Sequence, residues 1–137
     1  MSKIIIYTDG GARGNPGPAG AGAVIIADEE TIELKQFLGA HRTNNWAEYE
    51  AVALALQEAK RRGLAGRAVE VRLDSQLVGQ QLSGNWKIKE PSLKEQWTKV
   101  RALIASDFPK ITFTYVPREQ NKEADRLVNE AVDEAGY

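Results

Sequence analysis

Apolar residues recur along the chain first at alternating and then at helical spacing, and the changes of period mark the elements. "KIIIY" (3–7) and "GAVIIAD" (22–28) are dense in β-branched residues and read as strands, and "TIELKQFLG" (31–39) alternates Ile32, Leu34 and Phe37 as a looser third strand. Asp28, Glu29 and Glu30 make a polar turn between the second and third. From Asn45, "NWAEYEAVALALQEAKRRG" turns helical: Asn45 and Glu48 have capping-box spacing, and Gly63 stops the helix after a basic last turn. "AVEVRLD" is a fourth strand ending on Asp74, and "SQLVGQQLSG" a short helix. Ser92 with Glu95 repeats the capping-box pattern and opens a helix to about Ser106. "KITFTYV" is a fifth strand stopped by Pro117, and Asn121 to Ala135 forms a last helix with Ala124, Leu127, Val128, Ala131 and Val132 on one face.

The order is βββαβααβα. Strands joined by short turns are antiparallel, and a strand reached through a helical crossover lies parallel to the first, so the expected class is α/β, a mixed five-stranded sheet flanked by helices. A chain of 137 residues is expected to form one domain, 1–137, that buries about two thirds of its unfolded surface. The absence of cysteine excludes disulfides and thiolate metal sites. Without a signal peptide or an apolar run of roughly 20 residues, the expectation is a cytoplasmic protein with no membrane partner.

The stretch "YTDGGARGNPGPAGAG" (7–22) interrupts this pattern. It holds six of the twelve glycines and two of the five prolines, and reads as irregular backbone: a long hairpin turn, or a loop built for close approach of main chain to a ligand. Net charge is −1, which argues against binding nucleic acid by bulk positive charge. Residues 60–101 nevertheless carry ten Lys and Arg against four acids, leaving eight against fifteen elsewhere. That segment is either a solvated helix face or a basic patch.

Four carboxylates sit where the pattern does not need them. Asp9 and Asp74 end parallel strands, with side chains expected about 5 Å apart, at the sheet edge where α/β folds place their sites. Glu48 falls in line with Val52, Ala55 and Ala59, and Asp125 with Val128 and Val132, on stripes that should face the core. Each has a plain alternative: Asp9 and Asp74 as turn or cap residues, Glu48 as half of a capping box, Asp125 as a first-turn acid. Together they would repel unless protonated or neutralised by a hard cation, for which all-oxygen ligands suit Mg²⁺ or Mn²⁺.

"YTDGGARGNPGPAG", "RTNNWAEYEA", "RLDSQLVGQQLSGNW" and "VPREQNKEADRLVNEA", in this order over nearly the whole chain, resemble ribonuclease HI. The resemblance implies an RNase H-like fold. It also implies an endoribonuclease that cuts the RNA strand of an RNA/DNA hybrid to 5′-phosphate and 3′-hydroxyl ends, acting as a monomer with two Mg²⁺ ions, or Mn²⁺ in their place, on Asp9, Glu48, Asp74 and Asp125. Ala12, Gly14 and Asn15 would approach the minor groove, where 2′-hydroxyls identify RNA. Thr43, Asn44 and Asn45 would hold DNA phosphate and base edges, with plain helix capping as the alternative. Trp86, Lys87 and Lys89 would take the DNA strand, against the alternative of a buried core tryptophan with exposed lysines. Two features depart from the family. The loop before Asp125 lacks the histidine many relatives carry, so Arg118 or Glu119 is the candidate substitute, and His41 is read as structural or phosphate-side. Only sixteen residues lie between Asp74 and Pro91, too few for the long basic handle of some relatives.

Two other classes share some of these features: a catalytically silent hybrid-binding module, which need not keep all four acids, and an actin- or sugar-kinase-like nucleotide lobe, which needs a second lobe. Neither common nucleotide-loop motif is present.

Overall fold

The computed structural model describes residues 2–137. Strands β1 (Ile4–Ala12), β2 (Gly17–Ala27) and β3 (Glu30–Arg42) form an antiparallel meander, followed by helix α1 (Asn44–Arg61), β4 (Val69–Leu73), α2 (Gln76–Leu82), α3 (Pro91–Asp107), β5 (Ile111–Tyr115), a 3-10 turn (Arg118–Gln120) and α4 (Lys122–Glu134). The sheet order is β3-β2-β1-β4-β5, with β4 parallel to both β1 and β5. The α/β expectation and the element order hold, with the 3-10 turn added in the last loop. No helix among the described residues is long and apolar enough to cross a membrane.

The core lies between the sheet and α1 and α3, where Ile4, Ile6, Val69, Val71 and Leu73 meet Tyr49, Val52, Leu56, Val100, Ile104 and Phe108. Helix α4 covers the other face over β2, burying Ala124, Leu127, Val128, Ala131 and Val132, the same stripe that the periodicity picks out.

The glycine-rich stretch is mostly strand, contrary to the irregular backbone expected of it. Strand β1 runs on to Ala12, β2 starts at Gly17, and only 13–16 remain as the turn. The expectation failed because glycine's weak strand propensity is outweighed here by packing. A Cβ on Gly22 would stand 2.4 Å from the Ala124 carbonyl oxygen, and one on Gly20 2.9 Å from that of Val128, so α4 rests on bare backbone. On the opposite face a Cβ on Gly10 would lie 2.2 Å from the Ala47 carbonyl, where α1 touches β1.

Neither expected capping box forms. Thr43, not Asn45, caps α1, its Oγ1 accepting from the Trp46 N–H at 3.2 Å, so Glu48 is not engaged as a cap. Ser92 lies inside α3, which starts at Pro91 with no side-chain cap from Glu90. Proline at the first helical position already fixes φ and removes one orphan donor, so the helix starts two residues earlier than the Ser92 pattern requires.

Candidate active site

The sheet's register places the first two carboxylates. Parallel pairing of β1 with β4 ends at Thr8 and Leu73, so Asp9 and Asp74 are the next residues along both chains. Asp9 is still paired with Gly22 on the β2 side, which makes it a rigid mid-strand residue rather than the strand end expected. Ser75, not Asp74, caps α2, its Oγ accepting from the Val78 N–H. Glu48 projects from the first turns of α1, which approaches β1 closely because Gly10 has no side chain. One oxygen from each of Asp9, Glu48 and Asp74 lies within 4.8 Å of the others. Asp125, in the first turn of α4, lines the same cleft of about 410 Å³ but stands outside that tight set, its Oδ1 3.8 Å from Arg118 Nη2.

Burial and mutual repulsion govern the charge of this cluster. Burial pushes the Asp9 carboxyl up to about 7, reinforced by the charges of Asp74 and Asp125 and opposed by its hydrogen bond with Glu48. Glu48 is raised well above the usual carboxylate range, first by burial and then by Asp9. Its Oε2 is buried with no hydrogen-bond partner. An orphaned carboxylate oxygen facing two further carboxylates in an oxygen-only donor set fits a hard divalent cation and not a soft one.

The loop after β1 is tied to α1 as the sequence groups these residues. The Ala12 N–H donates to Asn44 Oδ1 at 2.8 Å and the Asn44 N–H to Asn15 Oδ1 at 2.9 Å, while Gly14 takes a φ of 88° that favours glycine. Thr43 and Asn45 are exposed beside them. Trp86, 45% exposed, is not a core residue, and Lys87 and Lys89 are exposed with no acidic partner among the described residues. Arg118 lines the carboxylate cleft, whereas Glu119 lines a separate pocket with Tyr7, Val24 and Ile26, so the structure sets the two loop candidates apart. His41 is exposed near the end of β3 and does not line the cleft.

Two residues of this site are not evident from the sequence. Asn121, 2% exposed, donates through Nδ2 to the Thr8 carbonyl at 2.8 Å and to Asp74 Oδ1 at 3.4 Å, and its main-chain carbonyl accepts from the Asp125 N–H at 3.1 Å. It thus ties β1, Asp74 and the first turn of α4 together. Arg13 also lines the cleft, held by Asp133 at 2.8 Å and by the Tyr137 carbonyl at 2.9 Å. Asn121 lies in the "REQNKEAD" stretch without any periodicity to mark it, and Arg13 in the glycine run.

The fold and its acid-lined cleft define an α/β domain of the ribonuclease H-like class. Residues 7–131 match the family model described as reverse transcriptase-like. The chain is 47% identical over 136 residues to a bifunctional protein of Mycobacterium tuberculosis, covering 97% of this chain and 36% of that protein. It is 41% identical over 135 residues to ribonuclease HI of Halobacterium salinarum, covering 97% and 66%. It also superposes on the crystal structure of LC11-RNase H1 in complex with an RNA/DNA hybrid, with a TM-score of 0.91 and 48% identity over 96% of this chain and 98% of that one. The chain belongs to the ribonuclease H family. It spans about a third of the mycobacterial relative's length.

Proposed function

We propose that this chain, as a single domain of residues 1–137 acting as a monomer, is an endoribonuclease that hydrolyses the RNA strand of RNA/DNA hybrids. Asp9, Glu48, Asp74 and Asp125 would hold two Mg²⁺ ions, with Mn²⁺ as a substitute. The observation that carries this reading is the convergence of Asp9, Glu48 and Asp74 within 4.8 Å around an orphaned Glu48 oxygen. When bound, the ions supply a water nucleophile at neutral pH and charge stabilisation for the leaving 3′ oxygen, so products end in 5′-phosphate and 3′-hydroxyl.

The chain's own residues supply binding and orientation. Asp9 and Asp74 are held by the sheet register, and Asn121 restrains Asp74 and the turn bearing Asp125. The loop of Ala12, Gly14 and Asn15, joined to Asn44, presents main chain to the minor groove, with Thr43 and Asn45 alongside. Arg118 brings an exposed cation to the cleft beside Asp125, where it can attract the scissile phosphate and the departing product. Trp86 stacks on a DNA sugar while Lys87 and Lys89 meet phosphates.

The test is incubation of end-labelled RNA/DNA hybrid with the protein in Mg²⁺ and in EDTA. Internal cuts in the RNA strand with 5′-phosphate ends are expected in Mg²⁺ and none in EDTA. A hybrid that is bound but stays intact in both Mg²⁺ and Mn²⁺ would establish a silent binding module instead.

Binding carries its own expectation. With Lys87 and Lys89 both replaced by alanine, the slope of log K against log salt should fall in magnitude by about 1 to 2, because each phosphate contact releases close to one counterion. Titrations in Ca²⁺ over about 50 to 200 mM salt measure this. An unchanged slope would move the DNA strand away from this segment. Arg61 and Arg62 are held by Glu58, and Arg72 by Glu70, so these three offer little in exchange.

A further inference from the structure

Between α2 and α3 the chain runs from Ser83 to Glu90 without helix or strand, and this segment bears Trp86, Lys87 and Lys89. Exposed connections of this length are ordinarily mobile unless something fixes their main chain. Three backbone bonds hold its first part: Gly84 N–H to the Gln81 carbonyl, and the Asn85 and Trp86 N–H groups to the Gln80 carbonyl at 2.9 and 3.3 Å. Past Trp86 the anchors are side chains: Ile88 packs against the core, and the one side-chain hydrogen bond to the main chain there among the described residues comes from Gln81. Gln81, 4% exposed, donates through Nε2 to the Lys87 carbonyl at 3.3 Å.

The other end of that amide is fixed with equal care. Gln81 Oε1 accepts from the Tyr49 hydroxyl of α1 at 2.6 Å, and the Gln81 main-chain carbonyl accepts from Trp97 Nε1 of α3 at 3.2 Å. Tyr49 is fully buried, and burial raises its hydroxyl above the ordinary tyrosine value, so it stays protonated and able to donate. A glutamine at the inner face of a short helix gains nothing as a core filler that a leucine or methionine would not gain, and it costs the desolvation of an amide. Its placement makes sense through what it joins: the Lys87 carbonyl, which can only accept, takes the amide N–H₂, and the Tyr49 hydroxyl donates to the oxygen at the other end.

We propose that Gln81 is a positioning residue for substrate: it presets the Trp86–Lys87–Lys89 segment in its nucleic-acid-binding conformation without touching nucleic acid itself. The inference rests on the reading of that segment as the DNA-strand contact. Preorganisation of a loop raises affinity by removing the ordering cost at the moment of binding, so the effect belongs in Kd and KM rather than in kcat.

The experiment compares the full chain with Gln81→Met, Lys87→Ala/Lys89→Ala and the triple variant, measuring hybrid affinity in Ca²⁺ and KM and kcat in Mg²⁺. Methionine keeps the volume and helix propensity while losing both amide bonds. Gln81→Met is expected to raise Kd and KM about fivefold to tenfold with kcat within about twofold, and to raise Kd less than about twofold when the two lysines are already absent. An equal loss in both backgrounds, or a fall in kcat at unchanged KM, overturns the proposal. If Lys87→Ala/Lys89→Ala binds as the parent does, the reading of the segment has failed, and the role of Gln81 in binding fails with it. Tyr49→Phe provides a second variant should Gln81→Met unfold: it frees the amide to rotate and is expected to raise Kd about twofold to threefold and to speed hydrogen exchange at Asn85 and Trp86, whose N–H groups bond the Gln80 carbonyl. Exchange and affinity both unchanged in Tyr49→Phe also overturn the proposal.

Discussion

Asp9→Asn is expected to lower the rate of hybrid cleavage by at least about 10³-fold, equivalent to about 4 kcal/mol of transition-state stabilisation, while making the metal-free protein more stable. The first effect follows from removing one anionic ligand from a set whose oxygens lie within 4.8 Å of each other, with no change of side-chain size. The second follows from linkage. Burial raises Asp9 from 3.8 to about 7, so between these values the folded state binds more protons than the unfolded one. That contribution to stability is full below the unfolded pKa and is lost as pH rises through about 7. The asparagine has no charge to bury. In EDTA at pH 8 the variant should melt higher than the parent by about 5 °C, and the difference should vanish toward pH 4. Calorimetry at several pH values measures it. Equal melting temperatures at pH 8, or turnover near the parent's in Mg²⁺ or Mn²⁺, would sink the assignment of Asp9 to a crowded metal site.

Gly10→Ala should damage the fold more than any other single methyl group on β1. The new Cβ would stand 2.2 Å from the Ala47 carbonyl carbon and oxygen and 2.5 Å from the Glu48 nitrogen, all main-chain atoms of α1. No rotamer change relieves such a contact. Either β1 bows or α1 lifts, and α1 carries Glu48 and much of the core, so a loss of about 3 kcal/mol and a fall in Tm of about 10 °C are expected. Gly11→Ala is the control, since its Cβ would meet only Val128 Cγ1, at an ordinary 3.7 Å. That variant should stay within about 1 kcal/mol of the parent in urea denaturation. Similar midpoints for the two variants would show that α1 does not rest on the bare backbone of Gly10.

Periodicity made the helices, the order of elements along the chain and the α4 stripe legible because those features depend on which residues face the core, and that is written locally. The carboxylates were legible for the opposite reason: Glu48 on an apolar stripe and acids ending two apolar strands are local inconsistencies. What the sequence hid depends on contacts between distant parts of the chain. Gly20 and Gly22 look like turn residues until α4 is seen resting on them, and Asn45 looks like a cap until Thr43 takes the Trp46 N–H. Asn121 and Gln81 were invisible because a buried amide has no periodic signature, and only the positions of the Thr8 and Lys87 carbonyls give it meaning. Trp86 stood equally well for a core and a surface residue until its exposure was known.

The contact of α4 with the glycines of β2 bears on how such a chain can change over generations. Where a helix sits on side chains, each exchange of leucine for valine resets its height above the sheet. Here the nearest neighbours of Gly20 and Gly22 are the Val128 and Ala124 carbonyl oxygens, with Leu127 Cβ, Ala131 Cβ and Val132 Cγ2 close behind, so the height is set mostly by backbone. The core beneath α1 and α3 lies on the other face of the sheet, so a change of composition there need not alter the span from β1 to Asp125.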